Sequence, residues 1–141
     1  MATEQRNRAL NLEARINLRK LYDSAVSYYE SEHSNRSGDL LPSQYPVSTP
    51  LVPNADCCVQ GGKCRPNPSV FEAPSWEALI FSVDDPHYYQ YQFVSSGIGK
   101  EAKFLARAVG DPTCTGKREV WEIQGAPGGR PSSHEMVRRV K

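Results

Sequence analysis

The sequence predicts an α+β domain: a long N-terminal amphipathic helix packed on a three- to four-stranded antiparallel sheet, with a long disulfide-stapled, Pro-rich connection between them. Three observations predict it. A helical apolar stripe runs through residues 4–33. Residues 87–124 alternate with period two and are broken by short turns, the pattern of an antiparallel meander. Between them, residues 34–86 are dense in proline and carry three of the 4 cysteines.

The helix comes first. Ala14, Leu18, Leu21, Ala25 and Tyr28 recur at spacings of four and three, which puts them on one face and predicts that they pack on the sheet. Glu13, Arg15, Arg19, Lys20 and Asp23 fall between them and read as a wet face. Leu12 and Ile16 either widen the stripe or make a second contact near the front of the helix. Gly38 supplies a stop after Ser34. Prolines 42, 46, 50, 53, 66, 68 and 74 then forbid regular helix or central strand. Leu40, Leu41, Tyr45, Val47, Leu51 and Val52 are expected to pack on the helix or sheet, or in part to form an exposed contact patch. A short helix is expected near 75–81, with Ser75 as its cap and Trp76, Leu79 and Ile80 on one side.

Three strands follow. Asp84-Asp85-Pro86 is a turn. Residues 87–95 place Tyr89, Tyr91 and Phe93 on one face and Tyr88, Gln90, Gln92 and Val94 on the other. Residues 102–109 place Ala102, Phe104, Ala106 and Ala108 together as a second strand, with a helix the alternative that the alanines leave open, and Trp121 and Ile123 share a face of the third strand. Residues 125–141 read as a loose tail in which 136–140 add a last edge strand.

Composition narrows the function classes. The 141 residues suit one domain with a modest core. Net charge is +1, so charge makes no case for nucleic acid or a membrane surface. Hydrophobic residues make up 38%, and 11 prolines and 10 glycines imply much irregular chain in need of restraint. No apolar run approaches the ~20 residues that span a bilayer.

Cysteine supplies the restraint. Cys57, Cys58, Cys64 and Cys114 are an even set in a loop-rich chain, which predicts two disulfides and an oxidising compartment. Cys57 and Cys58 are adjacent, so one closes a short loop with Cys64 and the other reaches Cys114; the spacing leaves open which does which. A zinc site is the rival, and C-C-x₅-C with one distant cysteine fits paired-ligand spacing poorly.

Catalytic patterns are thin. His33, His87 and His134 fall in a helix end, a turn and a tail, none beside a nucleophile motif. Gly61-Gly62-Lys63 lacks the spacing of a phosphate loop. The aromatic strand has glutamine neighbours rather than the basic ones a base-stacking platform needs. We expect no enzyme, cofactor or metal.

The segment Glu13-Ala14-Arg15-Ile16-Asn17-Leu18, with Tyr22 and the Tyr28-Tyr29-Glu30 ending, resembles the exposed half of the N-terminal helix of type IV pilins and type II secretion pseudopilins. Asp85-Pro86-His87-Tyr88-Tyr89-Gln90-Tyr91, Phe104-Leu105-Ala106-Arg107-Ala108 and Gly110-Asp111 resemble the sheet of pilin-like fimbrial proteins. The match covers roughly residues 10–33 and 76–124.

The resemblance implies a structural subunit, major or minor, of a pilus-like filament acting in adhesion, motility or secretion. Its partners would be other pilin subunits and the assembly machinery. It would touch the inner membrane only through an apolar half-helix, and no nucleic acid is expected. Its place would be the bacterial cell envelope or an extracellular filament, with the head periplasmic before assembly. The chain lacks the family's leader, processed Phe and apolar half-helix, as expected of a head trimmed of its native start. Some relatives hold calcium in an acidic loop. The matching turn here, Asp111 to Gly116, has one carboxylate where calcium takes six or more oxygens, so no calcium is expected. The alternatives are a type II secretion pseudopilin and a secreted, disulfide-stapled binding module unrelated to filaments.

Overall fold

The computed structural model describes residues 2–128 and 137–141. Helix α1 spans Ala2–Glu30 without a proline or glycine to interrupt it. Its stripe residues Ala14, Leu18, Leu21 and Ala25 are fully buried. They face a four-stranded antiparallel sheet of β1 (Tyr89–Ser96), β2 (Lys103–Gly110), β3 (Glu119–Gly125) and β4 (Val137–Arg139). The strands lie in chain order, each paired to the next. The protein is therefore α+β, one long helix laid on a meander.

The period-two alternation settles which side chains face the helix. Tyr91 pairs with Ala108 and Phe93 with Ala106, and Ala106 with Ile123. All of them are buried. Large rings on β1 thus lie beside alanines on β2, which leaves room for the helix to approach. Phe104 is the exception on β2, and it collects Tyr22, Tyr45 and Phe93 around its ring at centroid distances of 5.6, 4.7 and 5.4 Å. Gly125 makes that cluster possible, because a Cβ there would lie 2.3 Å from the Phe104 ring. Gly97 turns β1 into β2 at φ +78°, where a side chain would strike the Glu101 carbonyl at 2.3 Å.

The connection between helix and sheet carries no long element. It holds 3-10 turns at Cys57–Gln60 and Pro68–Phe71 and the short helix α2 at Pro74–Ala78. Part of it covers the edge of β1. Val52 exchanges backbone hydrogen bonds with Tyr91 at 2.9 and 2.8 Å, and the Thr49 amide donates to the Phe93 carbonyl at 2.7 Å. An edge covered by a loop is protected from pairing with another chain.

Several expectations need correction. Glu13 is not on a wet face: it is half-buried and hydrogen-bonded to β1. Leu12 and Ile16 do not widen the buried stripe, being 44% and 47% exposed. Tyr28 is half-buried and stacks on His33 at 3.8 Å, while Tyr22 and Tyr29 take the positions against the core. Ser75 does not cap α2, because Ala73 occupies that position; the buried Ser75 hydroxyl instead donates to the Val47 carbonyl at 2.6 Å. Ile80 leaves the face shared by Trp76 and Leu79. The helix stops at Ala78, the backbone turns at Ile80 with φ +51°, and its side chain is 90% exposed. The six apolar loop residues divide: Tyr45 is buried, Leu51 and Val52 are half-buried, and Leu40, Leu41 and Val47 are exposed. Residues 129–136 of the expected tail lie outside the described residues, as does His134.

Candidate functional site

Three groups of polar or reactive side chains stand out. The first is the disulfide cluster. Cys57 bonds to Cys64, closing a loop with a sequence separation of 7. Cys58 bonds to Cys114 across a separation of 56, tying the connection to the turn between β2 and β3. Adjacent cysteines point to different partners because the 3-10 turn begins there, held by the Asp56 carboxylate accepting from the Cys58 amide at 2.8 Å. That turn returns at Cys64, which forms a two-way backbone bridge with His87 at 2.6 and 3.1 Å. The Asp111 carboxylate accepts from the Thr115 and Gly116 amides at 3.2 and 2.7 Å, so it orders the turn that presents Cys114.

Cys57, Cys64 and His87 place one ligand atom each within 4.8 Å, all buried. Both sulfurs are spent on their shared bond, which leaves the imidazole the one conventional ligand. His87 Nδ1 lies 2.8 Å from the Tyr89 carbonyl, so this nitrogen carries the proton and donates.

The second group is a polar latch between α1 and β1. The Glu13 carboxylate accepts from the Tyr88 amide at 2.8 Å and from the Tyr91 hydroxyl at 2.7 Å. Asn17, one turn later, donates to the same hydroxyl at 2.9 Å. Burial raises the Glu13 pKa and outweighs the hydrogen bonds from Tyr88 and Tyr91 and the nearby His87, which act to lower it. Burial also raises the Tyr91 phenol well above its ordinary range, with the Glu13 charge adding to it. Tyr45 is pushed up to about 12, first by burial. Phenols so shifted stay protonated at neutral pH. These hydrogen bonds fasten the helix to β1.

The third group lies on the sheet face turned away from the helix. Gln92, Arg107, Glu122 and Arg138 are successive partners across the four strands, which places them on one face. Arg107 Nη2 and Nε each approach the Glu122 carboxylate at 2.8 Å, and Nη1 donates to Gln92 at 3.2 Å. The row borders an open groove lined by Leu51, Val109, Val120 and Val140. Nothing in the sequence pattern singles out this groove. The outward positions of the alternating strands mark only the faces opposite the core.

None of the three groups assembles a nucleophile, a base and an oxyanion donor. Among the described residues, no helix is long and apolar enough to cross a membrane. Scans against protein-family models, curated proteins and solved structures find no match to this chain.

Proposed function

We propose that this chain is the head of a pilin-like filament subunit, built to be carried on a longer helix and to contact other copies of itself. The observation that carries the reading is the length of α1 relative to what it covers. Its 29 residues extend about 43 Å, whereas an eight-residue strand extends about 27 Å. Among the residues whose burial is described, Ala9–Glu13 are exposed or half-buried and the fully buried stripe begins at Ala14, so this part of the helix lies beyond what the sheet covers. A helix that only closed its own core would need no such extension. Leu12 and Ile16, exposed near that end, suit contact with a neighbouring helix. Two disulfides suit an oxidising compartment such as the cell envelope.

The native coding sequence upstream of residue 1 tests this. A short basic leader ending in Gly, followed by about 20 apolar residues continuous with α1, supports the reading. A start codon at Met1, or a conventional signal peptide joined directly to this head, overturns it. The secreted binding module would then stand in its place.

A further inference from the structure

The outer groove of the sheet has a volume of about 440 Å³, and Leu51, Val109, Val120 and Val140 make up the apolar part of its lining. Its lining also carries the bases Arg107, Arg118 and Lys141. Arg138 stands in the next register beside Glu122. Glu122 is the one acid of the lining and is already engaged by Arg107. Such a groove selects an apolar group that arrives with negative charge.

The same chain carries that combination on another surface. Residues 66–99 contain no Lys or Arg, while Glu72, Glu77, Asp84 and Asp85 are all exposed there. Between Glu77 and Asp84 in sequence, Ile80 projects 90% exposed. A β-branched residue at φ +51° is held against its own steric preference. A single exposed isoleucine is ordinary; one displayed at positive φ in a segment whose charged residues are all acidic, in a chain that also bears a basic apolar groove, is a matched pair. Phe81, next to Ile80, packs on Tyr91 of the inner face at 5.5 Å. The segment that carries Ile80 therefore packs on the inner face of β1, whereas the groove is on the outer face.

We propose that Ile80 of one copy seats in the outer-sheet groove of a second copy, with Glu77, Asp84 and Asp85 meeting Arg118, Lys141 and Arg138. The two surfaces differ, so the contact is heterologous: each copy offers a knob to one neighbour and a groove to another, and repetition gives an open chain or a ring. The proposal deepens the filament reading by naming one of its lateral contacts, and it rests on that reading for its biological setting.

Sedimentation velocity of the chain from micromolar to millimolar concentration, at low and high salt, tests the contact. Association should grow with concentration and weaken with salt. Ile80→Asp should weaken it about tenfold or more, and so should Arg118→Glu. Combining Arg118→Glu with Glu77→Arg should restore it. Circular dichroism confirms that each variant is folded. A photo-crosslinking benzoylphenylalanine at position 80 should join copies at Leu51, Val120 or Val140. A chain monomeric at every concentration, or association that ignores Ile80→Asp, overturns the proposal. Filaments of the full-length protein that persist with Ile80→Asp would remove this contact alone. Association through Ile80 in a protein that starts at Met1 would keep the contact and remove the filament setting.

Discussion

The two halves of the molecule are held in different ways. The helix and sheet are held by area: Leu18, Leu21, Tyr91, Phe93 and Ile123 are almost wholly buried against one another. The connection adds buried area of its own, with Tyr45, Phe71, Trp76, Leu79 and Phe81 in the same core, and is in addition pinned at points: two disulfides, the backbone bridges of Val52 and Cys64, and the Ser75 hydroxyl. Area burial is redundant, because many contacts share the load. Point restraint is not, and a residue left uncovered between buried neighbours such as Leu79 and Phe81 can be displayed in a special conformation. That is where Ile80 stands at positive φ with its side chain in solvent. The rigid half positions, and the pinned half displays.

Substitutions can break that contrast. The largest effect is expected in the helix stripe. Leu18→Asp puts a charge at a fully buried site and should abolish folding, while Leu18→Ala should cost about 2–5 kcal/mol by chemical denaturation. A soluble, cooperatively folded Leu18→Asp protein would contradict the packing. The staples come next. Removing Cys58–Cys114 by paired serine substitution should cost about 4 kcal/mol, and removing Cys57–Cys64 about 2, since chain-entropy stabilisation grows with loop length. Hydrogen exchange should then rise in 48–64 and 111–118 before it rises in β1 and β2. Loss of protection everywhere at once would show that the staples hold the core as well. Smaller again, Ile80→Gly should raise stability by about 1 kcal/mol by relieving the positive φ, measured as a denaturation midpoint.

The latch sharpens the comparison through pH. The folded Glu13 pKa is raised above its ordinary 4.5, so the folded state holds the proton more tightly than the unfolded chain. Its contribution to stability is therefore full below that ordinary value and is lost as pH rises through the folded one. Glu13→Gln should flatten this part of the melting-temperature profile. Parallel profiles for Glu13→Gln and the parent chain would place the pH dependence elsewhere.

Much of the rigid half was legible in the sequence because periodicity reports burial directly. Ala14, Leu18, Leu21 and Ala25, and Tyr89, Tyr91 and Phe93, repeat at the spacings their elements demand. Glu13 defeated that logic, because its partners Tyr88 and Tyr91 lie more than seventy residues away and no local pattern announces them. Ile80 defeated it too: the helical spacing continues past Ala78, where the helix itself stops. The cysteine pairing needed the turn at Cys57–Gln60, which the prolines around it hide. The outer groove was invisible because it combines residues of β1, β2 and β3, the loop and the C-terminal end.

Electron microscopy of the native organism's envelope, labelled with antibody raised against this chain, tests the filament reading most directly. Label running along thin surface filaments, and lost when the gene is deleted, is the expected result. Label confined to dispersed, non-filamentous protein would contradict it and turn attention to the secreted binding module.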